Sequence, residues 1–279
     1  MVATAFVDLG VTKVRITGGE PLVRKNAVWL MGEIARLPDL KELVLTTNGS
    51  QLERYAAGLR EAGVRRINVS LDTLDPYRFK AITRFGKLAK VLRGIEAARA
   101  AGFPRLKINV VMMRGCNDNE LPKLVDFALD KDLDISFIEE MPLGEVGHGR
   151  NSSYFSSDEA LAVLRKRFTL RPTGETSGGP ARYWRLPGSP TRVGFISPHS
   201  HNFCDSCNRI RITARGELCP CLGRDHSISL LHVLRDHPGD RRRLSGTIVK
   251  AMGFKPRGHD FGRQMTTPQI VRFMSMTGG

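Results

Sequence analysis

The sequence lacks any long apolar run. Its tightest apolar stretch covers residues 108–113, far short of the roughly 18–20 residues that a membrane-spanning helix needs. The first ten residues have no basic cluster ahead of an apolar segment, and Asp8 interrupts the apolar residues that are there. A secretory signal is therefore not expected. Together these absences predict a cytoplasmic protein that does not associate with a membrane.

Acidic and aromatic residues are both scarce. Asp and Glu total 28 against 43 Lys and Arg, which gives a formal net charge of +15. A surplus of this sign favours polyanionic partners, either nucleic acid or a small substrate with several phosphates. The basic residues are scattered, with a single block at 241–243, and aromatic residues make up only 7% of the chain. Scattered charge with few aromatic residues argues against a nucleic-acid-binding surface.

Cysteine is also rare, with five residues in 279. An odd number fits a closed disulfide framework poorly, and Cys116 stands alone. The other four, Cys204, Cys207, Cys219 and Cys221, fall within 18 residues of one another. This cluster predicts a metal site in a protein of a reducing compartment.

The spacing of three of these cysteines fits two kinds of metal centre. Cys204 and Cys207 form a CxxC, and Cys221 follows thirteen residues later. A structural zinc site needs a fourth ligand, for which the candidates are Cys219, His199, His201 and His226. A [4Fe–4S] cluster held by three thiolates instead keeps one iron open to substrate.

The first 140 residues repeat a strand, a polar turn and an amphipathic helix. Strands are predicted at 13–16, 42–45, 66–69, 106–113 and 134–138. Helices are predicted at 26–37, 52–62, 88–101 and 120–129. This alternation indicates βαβ units and a parallel sheet, either doubly wound or barrel-like. Because polar groups follow every strand rather than one switch point, we favour an incomplete barrel.

The composition changes near residue 145. The chain becomes rich in Gly, His and Ser there, and a Ser156–Glu159 capping box predicts the start of a helix that runs to about Phe168. Short strands are predicted at 183–186, 192–196 and 209–213. We therefore predict two domains, residues 1–145 and residues 146–279.

Four of the basic residues inside predicted strands stand out. Arg15 and Lys107 interrupt apolar runs, where a charged side chain is costly unless it reaches an anion or solvent. Arg209 and Arg211 alternate directly after Cys207, so that both point to one face. Arginines beside a metal centre can bind phosphate in a bidentate manner, which predicts a phosphate-bearing ligand.

Nine motifs occur in order along the chain. They are TGGEP, TTNG, INVSLDT, KINVVMMRG, FIEEMP, GPARYWRLPG, FISPHSHNFC, CxxCNRIRIT and a terminal Gly-Gly. This combination resembles the GTP 3′,8-cyclase (MoaA) family of molybdenum cofactor synthesis, a family of radical S-adenosylmethionine enzymes. The resemblance covers essentially the whole chain, and the CxxC with NRIRIT is its most specific part.

The resemblance implies an α/β fold with an incomplete (β/α) TIM-like barrel and a smaller C-terminal α+β iron–sulfur domain. It implies a lyase in which a radical derived from S-adenosylmethionine abstracts a ribose hydrogen from GTP, giving (8S)-3′,8-cyclo-7,8-dihydroguanosine 5′-triphosphate. The implied GTP contacts are Arg15, Thr46, Lys107, Arg209 and Arg211. The implied S-adenosylmethionine contacts are Gly19, Ser70 and Met141. The implied ligands of a [4Fe–4S] substrate cluster are Cys204, Cys207 and Cys221.

One departure from the family is large. Family members carry a CxxxCxxC loop that holds a radical-generating cluster, and these 279 residues contain no such motif. From this we expect an N-terminally truncated cyclase that lacks the first barrel strand and is inactive alone. On this view, the N-terminal cluster belongs only to a full-length protein.

The resemblance also implies partners. It implies a homodimer, an electron donor, and a downstream cyclic pyranopterin monophosphate synthase, with no nucleic acid or membrane. Gly278 and Gly279 match the family's terminal diglycine, which is thought to reach the active site. Two alternatives stay open: a zinc-ribbon nucleic-acid-binding protein, and another radical S-adenosylmethionine enzyme with an auxiliary cluster.

Overall fold

The computed structural model describes residues 1–143, 150–259 and 261. Within these residues the α-helices are α1 (Val2–Asp8), α2 (Ala27–Ala35), α3 (Leu52–Glu61), α4 (Pro76–Thr83), α5 (Leu88–Ala100), α6 (Leu121–Asp130), α7 (Arg150–Ser153), α8 (Ser157–Arg165), α9 (Leu230–Asp236) and α10 (Arg241–Met252). The strands are β1 (Lys13–Ile16), β2 (Glu42–Thr47), β3 (Arg66–Ser70), β4 (Arg105–Met112), β5 (Asp134–Glu139), β6 (Arg171–Thr173), β7 (Arg182–Arg185), β8 (Arg192–Ile196), β9 (Arg211–Ile212), β10 (Glu217–Cys219) and β11 (Ile228–Ser229).

Eight strands form one sheet in the order β1-β2-β3-β4-β5-β8-β7-β6. The five predicted strands pair in parallel and in sequential order, and β8 continues the parallel series beside β5. A doubly wound sheet would reverse its strand order at a switch point, whereas a sequential order is typical of a barrel. The prediction of a barrel-like α/β fold is therefore confirmed. Within the described residues the sheet is open, with β1 at one edge and β6 at the other.

The two faces of this sheet differ in polarity. Along β3, Ile67 and Val69 belong to a large apolar core that the sheet forms with the helices. The residues between them alternate to the opposite face, as expected for a strand. We call this second face the polar face; it carries Arg15, Thr46, Asn68, Lys107 and Ser136.

Local capping signals fix the starts of two helices. Asp75 accepts a hydrogen bond from the backbone N–H of Arg78, which caps α4 ahead of Pro76. The predicted capping box at the start of α8 is confirmed by reciprocal bonds between Ser156 and Glu159. This helix ends at Arg165, three residues before the predicted end.

A second, smaller core joins the two ends of the described chain. Phe6 of α1 packs with Leu218 of β10, Leu230 of α9, and Leu244 and Ile248 of α10. The three-stranded antiparallel sheet β11-β10-β9 forms part of this unit. The sequence analysis did not predict α1 or its contact with the C-terminal helices.

The sheet does not stop at the predicted boundary near residue 145, because β6, β7 and β8 lie beyond it and complete the same sheet. The division into residues 1–145 and 146–279 stays a prediction. None of the helices in the described residues has the length and apolar character needed to cross a membrane.

Candidate active site

Arg15 and Lys107 lie on the polar face; Lys107 is buried, whereas part of the Arg15 side chain is exposed. The Nη1 atom of Arg15 lies 3.3 Å from the Thr46 hydroxyl, to which it donates a hydrogen bond. Desolvation by the surrounding protein, followed by the charges of Arg66, Arg211 and Arg209, lowers the pKa of Arg15 to about 10. Three of the predicted substrate contacts on other elements, Thr46, Arg209 and Arg211, thus lie near Arg15.

Lys107 is only 5% exposed. Burial, followed by the charges of Arg15 and Arg66, lowers its pKa to about 7 against the opposing effect of Asp134. The pKa of Arg211 falls to about 10 because of burial and Arg209, although the nearby cysteines oppose this shift. Mutually repelling cations are held together here, which is the electrostatic signature of a site for a multiply charged anion.

Two residues of this cluster were not predicted. Arg66 is 4% exposed, and its Nη2 atom lies 3.4 Å from Glu42. Tyr183 of β7 is also buried, and its hydroxyl accepts a hydrogen bond from the Lys107 ammonium at 3.4 Å and donates one to Ser177 at 2.9 Å. The Arg66 signal was present in the sequence as a basic residue at the start of an apolar strand, but Tyr183 is brought in by sheet pairing that has no local signal.

The predicted S-adenosylmethionine contacts lie at the carboxyl ends of parallel strands. Gly19 follows β1, Ser70 ends β3 and Met141 follows β5. The TGGEP and TTNG turns are joined by Glu20, whose carboxylate accepts hydrogen bonds from the Thr47 hydroxyl at 2.7 Å and the Asn48 N–H at 2.6 Å. Carboxyl ends of parallel strands form the active face of barrel enzymes.

A second carboxylate connects this edge to the cysteine-bearing segment. Glu139, at the end of β5, is fully buried. It accepts hydrogen bonds from the backbone N–H groups of Ser157 at 2.9 Å, His199 at 2.9 Å and Ser200 at 3.1 Å, and from the Ser200 hydroxyl. Glu139 thereby anchors the loop that leads to Cys204. Glu139 itself lies two residues before Met141, one of the predicted S-adenosylmethionine contacts. Sequence analysis had not singled out Glu139.

Cys204 and Cys207 lie at a one-turn 3₁₀ helix after this loop. Burial disfavours the Cys207 thiolate, but the backbone N–H of Arg209 and the charges of Arg209 and Lys255 outweigh it, so the pKa of the thiol is lowered. The Lys255 ammonium lies 3.7 Å from the Cys207 sulfur. The surroundings therefore favour the thiolate, the form in which cysteine binds metals.

Cys221 borders a cavity of about 230 Å³ lined also by His226 and Phe254. Cys219 is 2% exposed on β10. All five cysteines are free thiols. Among the described residues, no three His, Cys, Asp or Glu side chains are gathered closely enough to hold a metal ion. The structure therefore does not bring Cys204, Cys207 and Cys221 together as one ligand set, although their thiol chemistry suits a thiolate-bound cluster.

Two predicted residues, Gly278 and Gly279, lie outside the described residues.

Comparisons with known proteins cover the whole chain. Residues 1–128 match the Radical SAM superfamily, and residues 133–261 match Molybdenum Cofactor Synthesis C. The chain is 58% identical to a GTP 3′,8-cyclase of Pseudomonas entomophila (strain L48), with 100% of this chain and 84% of that protein aligned. It is 56% identical to a GTP 3′,8-cyclase of Pseudomonas fluorescens (strain Pf0-1), with 99% and 84% aligned.

The fold has solved counterparts as well. The crystal structure of Streptococcus suis SuiB bound to S-adenosylmethionine superposes with a TM-score of 0.59 at 16% identity, covering 98% of this chain and 67% of that one. At this identity the likeness concerns the fold alone. With two family matches and relatives above 50% identity along its length, the chain belongs to the GTP 3′,8-cyclase family of radical S-adenosylmethionine enzymes.

Proposed function

We propose that this protein acts in molybdenum cofactor biosynthesis as a lyase that converts GTP to (8S)-3′,8-cyclo-7,8-dihydroguanosine 5′-triphosphate. The observation that carries the proposal is the cation cluster on the polar face, in which the buried Arg66 and Lys107 lie beside the more exposed Arg15 and are approached by Arg209 and Arg211. Cations that repel one another favour binding of an anion of several charges, and a triphosphate supplies it.

In this proposal Arg15, Thr46, Lys107, Arg209 and Arg211 bind the substrate. The guanidinium groups can each donate two hydrogen bonds to phosphate oxygens, and Lys107 contributes a point charge. Thr46 orients Arg15 through the 3.3 Å hydrogen bond. Binding of the triphosphate offsets the repulsion that lowers the pKa values of Arg15 and Lys107.

Gly19, Ser70 and Met141 would line the S-adenosylmethionine site at the carboxyl edge of the sheet. S-adenosylmethionine supplies the radical that starts the reaction on GTP, and the chain's part is to orient both molecules and exclude water. Glu20 supports this part by fixing the turns after β1 and β2 against each other. Because the 279 residues contain no CxxxCxxC motif, we assign no residue to the cluster that would bind this cofactor.

Cys204, Cys207 and Cys221 would hold the [4Fe–4S] cluster that contacts the substrate. Three thiolate ligands leave one iron open to a substrate atom. The lowered pKa of Cys207 supports its role as a thiolate ligand. Free thiols throughout the chain fit the reducing cytoplasm better than an oxidising compartment.

The test is an anaerobic reconstitution of the chain, followed by assays of iron, acid-labile sulfide and zinc. About four irons and four sulfides per chain are expected, and the Cys204→Ser, Cys207→Ser and Cys221→Ser variants should lose them. Cys116→Ser is the matched control and should retain iron. About one zinc without sulfide would contradict the proposal and favour a zinc ribbon.

A second measurement follows binding of GTP to the reconstituted chain. Binding should weaken in Arg15→Ala and in Lys107→Met, since both residues belong to the cation cluster.

We also propose that the chain forms a homodimer, takes electrons from a reductant, and passes its product to cyclic pyranopterin monophosphate synthase. The terminal residues Gly278 and Gly279 would act at the active site.

A further inference from the structure

Three neutral polar side chains are buried on the polar face without hydrogen-bond partners among the described residues. Neither the nitrogen nor the oxygen of the Asn68 carboxamide has a partner, and the same holds for Asn109 Oδ1 and Ser136 Oγ. Asn68 and Ser136 are completely buried, and Asn109 is 9% exposed. Buried polar groups in native proteins are nearly always hydrogen-bonded, so each exception requires an explanation.

Asn68 is the most exceptional of the three, because both of its polar atoms are unpartnered. In the sheet register, Asn68 pairs with Thr46 on one side and with Lys107 on the other. Side chains in register on neighbouring strands point to the same face. Asn68 therefore lies in one row directly between two residues that we propose to bind GTP.

Another buried asparagine of the same region shows the contrast. Asn117 is also completely buried. Its amide nitrogen donates to the carbonyls of Asp72 at 2.8 Å and Val111 at 2.9 Å, and its oxygen accepts from the Met113 N–H at 2.8 Å. Asn117 thus uses its carboxamide to hold the backbone together, whereas Asn68 makes no such contact.

The chemistry of the polar face changes along the strands. Arg66 precedes Asn68 by one step on this face, and Ser70, which we propose to contact S-adenosylmethionine, follows it by one step. Asn68 thus lies between a cationic end, suited to phosphates, and an edge suited to the cofactor. In GTP the ribose follows the phosphates, and it is the ribose that the proposed reaction must present to the radical.

We propose that Asn68 binds a ribose hydroxyl group of GTP and so holds the sugar between the phosphate-binding cations and the S-adenosylmethionine edge. A carboxamide can donate to and accept from a hydroxyl group, which matches the two unpartnered atoms. This inference rests on the proposed function, since it identifies which part of GTP a further residue of the same site contacts.

The test compares Asn68→Leu with the wild-type chain after anaerobic reconstitution, using equilibrium binding of GTP, 2′-deoxy-GTP, 3′-deoxy-GTP and tripolyphosphate. In the wild type, loss of the contacted hydroxyl should weaken binding. In Asn68→Leu, GTP binding should weaken about tenfold, which corresponds to one hydrogen bond. The difference between GTP and that deoxy analogue should disappear, and tripolyphosphate should bind as before.

Thermal unfolding separates this role from a structural one. Leucine has nearly the shape of asparagine and removes unpartnered polar atoms, so Asn68→Leu should leave the unfolding midpoint unchanged or raise it. The matched control Asn117→Leu should lower the midpoint, because it leaves three backbone groups without partners. Asn68→Ser is a second variant, which shortens the side chain and removes the carboxamide but keeps a polar group.

Three results would overturn the inference. Unchanged GTP affinity would mean that Asn68 is satisfied by water alone. Weaker tripolyphosphate binding would place Asn68 in the phosphate site, and equal weakening of GTP and both deoxy analogues would exclude a ribose contact. Failure of the proposed function would look different from these results. The wild type would then not bind GTP, or its GTP affinity would be the same with and without the Lys107 side chain.

Discussion

At the scale of single residues, the polar face concentrates charge that the protein itself does not neutralise. Asp134 forms an ion pair with Arg192, and Glu42 lies near Lys13 and Arg66. Near Arg15, the charge of Glu42 does not outweigh desolvation and the cationic neighbours, so the pKa of Arg15 stays lowered. The cationic side chains therefore repel one another at the place where we propose that the substrate binds.

Lys107 makes this repulsion measurable as a pH dependence. Its pKa of about 7 means that the ammonium is largely present below pH 7 and lost above it. A bound triphosphate stabilises the ammonium, so GTP affinity should fall between pH 7 and pH 9, approaching tenfold per pH unit. The charged or titratable groups around Lys107 are Arg15, Arg66, Asp134, Tyr183 and Arg192.

Titration calorimetry across this range checks the prediction. Lys107→Met should bind GTP weakly with a shallower pH profile, whereas the exposed Lys25→Met should keep the wild-type slope. An equal slope in Lys107→Met and wild type would assign the pH dependence to another group.

Asp72 supplies a second titration, in stability rather than binding. Burial raises its pKa to about 6, opposed by the hydrogen bond it accepts from the Val111 N–H. The folded state therefore favours the protonated carboxyl, and stability is lost as the pH rises from about 4 through 6. Asp72→Asn should raise the unfolding midpoint by a few degrees at pH 7.5 and by less at pH 5.

Differential scanning calorimetry at the two pH values tests this, with Asp39→Asn at an exposed turn as the control. A stabilisation of the same size at both pH values would show that the Asp72 charge is not its cause.

At the scale of elements, Glu139 links three segments that are distant in sequence. It ends β5, caps the first turn of α8 through Ser157, and holds the loop at His199 and Ser200. Glu139→Ala should destabilise the chain by about 3 kcal/mol or more, because several buried donors lose a charged acceptor. Since this loop leads to Cys204, reconstituted iron should fall as well.

Chemical denaturation and an iron assay measure the two effects together. The exposed Glu61→Ala should change neither quantity. If Glu139→Ala lost stability but kept full iron, the anchor would not be needed to present the cysteines.

The elements also show what the sequence could predict. Strands β1 to β5 were placed to within one or two residues, because strands with one apolar face against helices and abrupt polar ends have a strong local pattern. The relation of β8 to β5 was missed, since parallel pairing across a long insertion has no local signal. Helix α1 was missed because no side chain caps its start.

The residues of the candidate site also differ in how far the sequence could predict them. Arg15 and Lys107 stood out because a cation within an apolar strand is costly. Their common neighbourhood with Arg209 and Arg211 depends on how the C-terminal hairpin lies against the sheet, which spacing does not encode. The unpartnered state of Asn68 likewise follows only from the surroundings of the folded strand.

At the scale of the whole molecule, the small core of α1, β10, α9 and α10 connects the first residues to the cysteine-bearing hairpin. Phe6 is 6% exposed within it. Phe6→Ala should cost about 3 kcal/mol, and it should loosen this unit more than the large sheet. We expect faster amide hydrogen exchange in β10 and α10, with little change in β3 and β4.

Hydrogen-exchange mass spectrometry resolves the two regions. Phe85→Ala is the matched control, because this phenylalanine is 93% exposed. Uniform loss of protection over the whole chain would show that the small core and the large core unfold as one unit.

The same small core sets an order of events during synthesis. Helix α1 is translated before the other described elements, but its partners on α9 and α10 are translated only after nearly all of them. The large sheet can form while translation continues, as domains generally fold during synthesis. The hairpin with Cys219 and Cys221 gains its apolar support only once α9 and α10 have been made. If these cysteines bind the proposed cluster, delivery of iron and sulfide should follow the synthesis of both helices.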